Sequence, residues 1–319
     1  MDITPKLQIK NRDRGEDAEA LAFRVTVLLT VLLPTLGLGA AIYTLWGRWV
    51  TATDLGIALL LYAATAVSVS VGFHRLFTHR SFECNAGVKL ALGITGSMAT
   101  QGPLFYWVAT HRLHHQASDR PGDPHSPHEF GRGFRTLLRG WAHAHFGWLF
   151  AVPGKRYFRV VADLARDPVA AFINRHYLLW IALGLLAPAV VSGWVSGSWR
   201  GVLTGFIWGG LARTFLVHHV TWSINSICHL FGTQSFETGD ESRNNPLCAL
   251  VSFGEGWHNN HHGFPTSARL GLRWWEVDFG YWLIAALRAC GLAADVCEPS
   301  AIQQQAKSRQ VSGRPGSPS

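Results

Sequence analysis

Residues 110–115 read Thr110-His111-Arg112-Leu113-His114-His115. The three imidazoles sit at i, i+3 and i+4, which places them on one face of a helix. Neutral imidazole is the commonest metal ligand. The spelling returns far downstream as His258-Asn259-Asn260-His261-His262. With 16 histidines in 319 residues, one H-x-x-H-H has a chance expectation of about 0.04, so a pair of them is no accident. Six imidazoles would also be costly to bury without a partner. The chain reads as a scaffold that brings the two triplets together.

Other histidines join them. His74 and His79 bound the segment H-R-L-F-T-H. A five-residue step turns an α-helix by about 140°, so this pair shares no narrow face, although both can reach a metal at a helix end. His229 follows Asn225 by four residues and makes a ninth candidate. Nine imidazoles exceed the four ligands of a structural zinc site and fit two ions with four or five ligands each. An all-imidazole set suits Fe, Zn, Cu or Ni better than Mg or Ca. The clusters hold neither cysteine nor carboxylate, which argues against a zinc ribbon and a carboxylate-rich di-iron bundle. Glu255 and Asp123 lie close by in sequence and are expected to orient imidazole N–H groups.

Hydrophobic residues make up 48% of the chain and charged residues 15%, against roughly 25% charged in soluble domains. Together with 14 tryptophans, this points to a membrane protein. The formal charge is +8, but no basic helix or RNA-binding motif accompanies it. Cytoplasmic loops rich in Lys and Arg explain the charge better than a nucleic-acid partner. The five cysteines, Cys84, Cys228, Cys248, Cys290 and Cys297, are odd in number and form no C-x-x-C, so a disulfide framework is not expected.

Residues 1–20 are polar and charged, as in a flexible cytoplasmic tail. The apolar run after them is too long for a secretory signal. Four apolar stretches, about 25–46, 55–73, 177–195 and 201–217, read as transmembrane helices. The short connections Gly47–Asp54 and Ser196–Arg200 pair them into two hairpins, which places every histidine cluster on one side. The basic bulk lies there too, and the positive-inside rule makes that side cytoplasmic. Residues 86–108 are expected to form one helix on or in the interface. The expected fold is an all-α membrane protein with four transmembrane helices and the histidine clusters together on the cytoplasmic side. One domain spans 21–299, and a disordered tail covers 300–319.

On these residues the chain resembles the membrane fatty-acyl desaturases. His74–His79, His111–His115 and His258–His262 match that family's three histidine boxes in order and spacing. N-S-I-C-H (225–229), G-D-P-H (122–125), H-F-G-W (145–148) and G-E-G-W-H-N-N-H-H-G-F-P (254–265) resemble its connecting motifs. The pattern is most like the bacterial Δ9 members without a fused electron carrier, which are related to the stearoyl-CoA desaturases. The resemblance implies a mushroom-like fold, four helices under a cap holding two irons. It implies His74, His79, His111, His115 and His262 on one iron. His114, His229, His258 and His261 would hold the other, with Asn225 reaching it through water. It further implies an O2-dependent desaturase of the bacterial inner membrane, its active site on the cytoplasmic face. The enzyme would place a cis double bond in an acyl chain carried as thioester or membrane lipid. Electrons would come from a separate ferredoxin, rubredoxin or reductase.

The chemistry is consistent with this. Cleaving an unactivated C–H bond is beyond any side chain acting as acid or base, so a redox metal must carry it. The protein must then hold a long chain in one register within a dry tunnel. Trp107 and Trp222 are candidate walls of that tunnel, and Tyr62 a candidate floor. Where animal acyl-CoA members carry an Arg-Asp pair before the second box, this chain has Ala109 and Thr110. The acyl carrier therefore stays open. Hydroxylation at the same site is a close alternative. A metal transporter is disfavoured, because such a pathway needs ionisable residues and residues 25–46 and 55–73 have none.

Overall fold

A backbone segment in lipid must satisfy its own hydrogen bonds, so long apolar runs become helices. The computed structural model describes residues 4–131 and 133–308, and for residues 4–16 the backbone alone. Helix α1 (Thr4–Trp46) is followed by α2 (Ala52–Ser68). A capping box starts α2: Asp54 N donates to Thr51 Oγ1 at 3.2 Å, and Thr51 N donates to Asp54 Oδ2 at 2.9 Å. Without a break α2 widens into a π-helical segment, Val69–Thr78. Strand β1 (Glu83–Cys84) pairs with β2 (Ala293–Ala294). Next come α3 (Ala86–Ser97), α4 (Leu104–Ala117), α5 (Phe134–His145), α6 (Lys155–Arg159) and α7 (Pro168–Arg175). Then follow α8 (Tyr177–Ser196), α9 (Trp199–Gly205), a second π segment (Phe206–Ala212) and α10 (Arg213–Ser226). The remaining helices are α11 (Pro246–Val251), α12 (His258–Gly263), α13 (Phe279–Ala289) and α14 (Ala301–Lys307).

Among the described residues, three helices are long and apolar enough to cross a membrane: Asp17–Trp46, Ala52–Thr78 and Tyr177–Ser196. Large apolar side chains such as Leu36, Leu60, Leu178 and Val190 face outward from them, as lipid-facing residues would. Residues 201–217, expected as the fourth span, are helical throughout but not apolar enough to join that set. The cause is close packing. A Cβ on Gly205 would lie 2.5 Å from Pro188 O, and one on Gly209 2.4 Å from Pro188 Cβ. Buried Arg213 adds a charge, its guanidinium donating to the carbonyls of Met98 (2.8 Å), Gly184 (2.7 Å) and Gly209 (3.0 Å).

Other expectations change. The backbone from Thr4 onward is helical and continuous through α1, since Lys, Arg, Glu, Ala and Leu extend a helix readily once it is nucleated. Residues 300–308 are also ordered: Ser300 and Gln303 form a capping box that starts α14, while 309–319 fall outside the described residues. The single helix expected over 86–108 is two. Thr100 (φ 60°) and Gly102 (φ 98°) take left-handed conformations that end a helix, and Pro103 follows. All five cysteines are free. The main buried cluster joins Phe73, Leu76 and Phe77 of the first π segment to Leu92 of α3, Leu104 and Val108 of α4, and Ile284 of α13. The core thus fixes the helix ends that carry the histidines.

Candidate metal centre

The first π segment overcomes the i, i+5 obstacle. In a π-helix the bond runs i→i+5, and His79 N donates to His74 O at 3.1 Å. The two rings come to 4.9 Å between centroids. The other box residues then lock the boxes in place. Buried Arg75 donates to Asp278 Oδ1 (2.9 Å) and Oδ2 (3.1 Å) and to Ala268 O (2.8 Å). Arg112 donates to Phe77 O (3.0 Å), Val160 O (2.7 Å) and Asp163, tying the second box to the end of the first. In the third box Asn259 Oδ1 accepts from Ser235 N and Phe236 N, while Asn260 Nδ2 donates to Leu270 O and Glu276 Oε2.

The nine histidines form two groups. His74, His79, His111, His115 and His261 bring their ligand nitrogens within 4.8 Å of one another, as do His114, His229, His258 and His262. In the first group, the Nε2–Nε2 distances are 3.0 Å for His74–His261, 2.8 Å for His115–His261, and 3.0 Å for both His79–His111 and His111–His115. In the second, His229–His258 is 3.0 Å and His114–His262 3.3 Å. Ligands about 2.1 Å from one ion and at right angles to each other would stand about 3.0 Å apart. The donor sets therefore fit two ions of the imidazole-favouring class.

This grouping corrects one expectation: His261 belongs with the first group and His262 with the second. Helix geometry gives the reason. Positions i and i+4 lie about 40° apart around a helix, and i and i+3 about 60° to the other side. The i, i+4 pairs His111/His115 and His258/His262 each stay together, while the i+3 members His114 and His261 cross to the opposite group.

Carboxylates stand behind several of these histidines. Glu255 Oε2 lies 2.5 Å from His74 Nδ1, and Asp123 Oδ2 lies 2.9 Å from His114 Nδ1. Both contacts were legible in the sequence, but two further ones were not. Asp119 contacts His229 Nδ1 at 2.8 Å, and Asp240 contacts His262 Nδ1 at 2.7 Å. Asp119 lies four residues past His115, a spacing that could have flagged it; nothing local marks Asp240. Burial, and then the neighbouring imidazoles, push His111, His115, His258 and His261 well below the ordinary histidine range, so they stay neutral and able to donate. For His229 burial works the same way, but Asp119 outweighs it and raises the pKa. His125 was also missed. Its ring stacks on His114 at 4.3 Å and groups with His114 and Asp123.

Two cavities meet at the histidines. The larger, about 540 Å³, extends from Phe23, Thr26 and Thr30 of α1 to Trp107, His111, Trp222 and Asn225. The smaller, about 50 Å³, is bounded by Ala66, Val69, His74, Trp107, His111, Asn225 and His258. Trp107 and Asn225 thus line both. Trp107 Nε1 donates to Gln101 Oε1 (3.1 Å) and Gln101 Nε2 to Thr221 Oγ1 (2.7 Å), so the indole is held with its ring stacked on His111. Trp222 lines the larger cavity only. Tyr62 borders neither: it packs against the cluster of Ala66 and Val69, and its hydroxyl donates to Val251 O at 2.7 Å. The Ala109-Thr110 pair is buried, with Thr110 facing the larger cavity.

The family model described as fatty acid desaturase matches residues 53–291. A hex-5-enoyl-[acyl-carrier protein] acetylenase from Moorena producens is 44% identical over 284 residues, covering 88% of each chain. An sn-1 stearoyl-lipid 9-desaturase from Anabaena variabilis is 41% identical over 244 residues, covering 76% of this chain and 83% of its own. Its counterpart from Synechocystis sp. is 40% identical over 249 residues, covering 77% and 72%.

Proposed function

The chain belongs to the fatty acid desaturase family, and we propose that it is an O2-dependent, di-iron fatty-acyl desaturase that forms a cis double bond, at Δ9, in a saturated chain. The observation that carries this reading is the meeting of two all-histidine groups with a mainly apolar cavity of about 540 Å³. That volume lies within the range of ligand pockets, roughly 300–1,000 Å³. Two bound irons would supply the oxygen activation and hydrogen removal that no side chain can perform. The two histidine groups would hold them through Nε2, with Asn225 acting through water on the four-histidine group.

The chain's own residues do the rest. Glu255, Asp123, Asp119 and Asp240 fix the imidazoles from behind. Trp107 and Trp222 press on the alkyl chain and exclude water. A chain running from the larger cavity into the smaller would pass Trp107 and His111, which puts one pair of CH2 groups beside the ligands. Tyr62 stands beyond the smaller cavity as a floor. The site lies on the cytoplasmic face of a bacterial inner membrane, above four spans in two hairpins, the fourth being the glycine-rich 201–217. The substrate is an acyl lipid or thioester, and a ferredoxin, rubredoxin or reductase brings the electrons.

The 9-position rests on the two stearoyl-lipid 9-desaturases. A second reading is favoured by the greater identity and coverage of the acetylenase: dehydrogenation of an existing double bond in a short chain on acyl-carrier protein. Expression in a host without monoenoic acids, followed by gas chromatography, separates them. A new monoenoic chain supports desaturation. An acetylenic product from supplied hexenoate supports the second reading, and no unsaturated product refutes both. Tyr62→Ala should lengthen the chains accepted, and an unchanged profile removes the floor assignment.

A further inference from the structure

The two histidine groups differ in what stands behind them. In the four-histidine group, His114, His229 and His262 each present Nδ1 to a carboxylate: Asp123 at 2.9 Å, Asp119 at 2.8 Å and Asp240 at 2.7 Å. Hydroxyls and backbone amides complete these carboxylates. Asp119 accepts from Ser126 Oγ and Glu241 N, Asp123 from Asp119 N and His125 N, and Asp240 from Thr238 Oγ1 and Ser242 Oγ. No Lys or Arg forms an ion pair with any of the three among the described residues.

The five-histidine group is built otherwise. Of its members, His74 has a carboxylate on Nδ1, Glu255 at 2.5 Å, and that carboxylate shares its charge with Arg75 Nη2 at 3.3 Å. The buried Nδ1 atoms of His261 in this group and of His258 in the other have no hydrogen-bond partner among the described residues. Three uncompensated anions therefore stand against one compensated anion.

A carboxylate behind an imidazole makes its other nitrogen a stronger donor. Losing one such partner costs about 10–100-fold in metal affinity. The fifth imidazole favours the other group, but a neutral ligand adds no charge to offset that of the cation. We infer that the two metal positions are inequivalent: the four-histidine group takes up the first divalent ion and releases it last. This rests on the proposed metal-dependent function and adds an order of filling to it.

The test uses the full chain in detergent, stripped of metal by a chelator and titrated with Co2+ against a chromophoric competitor. Wild type should bind in two steps, the first at least about 10-fold tighter. Asp240→Asn and Asp119→Asn keep an acceptor oxygen and remove the charge. Each should weaken the first step by about 10–100-fold and leave the second in place. Glu255→Gln should weaken the second step alone. Two indistinguishable steps in wild type, which need no variant to observe, would overturn the inference. So would an effect of Asp240→Asn confined to the second step. A wild type that binds no Co2+ would instead remove the metal-dependent reading beneath it.

Discussion

His261 and His262 are neighbours in the chain, yet their Nε2 atoms face different histidine groups. Replacing His261 by Ala should remove one ion and leave the other, so metal content should fall by about one per chain with the helical content kept. An unchanged metal content by elemental analysis would show that His261 is no ligand. A histidine outside both groups gives a pH prediction. His145 bonds Ser226 Oγ through Nδ1 and His219 through Nε2, each at 2.9 Å. Burial, and then His219, push its pKa down to about 4, from about 6.5 in an unfolded chain. Between those values the unfolded state holds a proton that the folded state lacks, so this stability is complete above about pH 6.5 and falls toward pH 4. Between about pH 7 and pH 5 the Tm of wild type should drop further than that of His145→Gln; equal drops would contradict the assignment. The histidines were legible because residue type and spacing both announce a ligand. Asp119 and Asp240 were not, because their contacts to His229 and His262 arise only when the loops fold back.

The first π segment is the element on which the site depends. It brings His74 and His79 together at a spacing that an α-helix would splay, and it packs closely on α3. A Cβ at Gly72 would lie 2.9 Å from Leu92 Cβ and 3.2 Å from Leu92 O. Gly72→Ala should therefore cost about 1–3 kcal/mol through overpacking and reduce metal content, read by thermal melting and elemental analysis. Unchanged values would show that α3 gives way freely. Arg213 does related work in the fourth helical run. Arg213→Met removes a donor from the carbonyls of Met98, Gly184 and Gly209, at about 1–3 kcal/mol for each one left unpaired. A Tm in detergent equal to wild type would contradict that role. Neither feature was visible in the sequence. Propensity does not encode i→i+5 bonding, and a glycine-rich run with one arginine reads like an ordinary span until its close packing on α8 is seen. The spans of α1, α2 and α8 were legible because length and apolarity suffice to mark them.

At the scale of the whole molecule, the two cavities share Trp107, His111 and Asn225 in their walls, and the larger reaches back to the first helix. Thr26 and Thr30 of α1 line the larger cavity far from the clustered histidines in sequence. Thr30→Trp should obstruct it, lowering turnover while metal content stays at the wild-type level; unaltered turnover would show that substrate does not pass there. The most direct measurement supplies a series of perdeuterated saturated fatty acids, from short to long, to cells expressing the chain, with mass analysis of the recovered acyl groups. The account predicts that at least one chain returns with a single new cis double bond and two deuterons missing from adjacent carbons. Recovery of every chain unchanged, or with a hydroxyl in place of one deuteron, would contradict it.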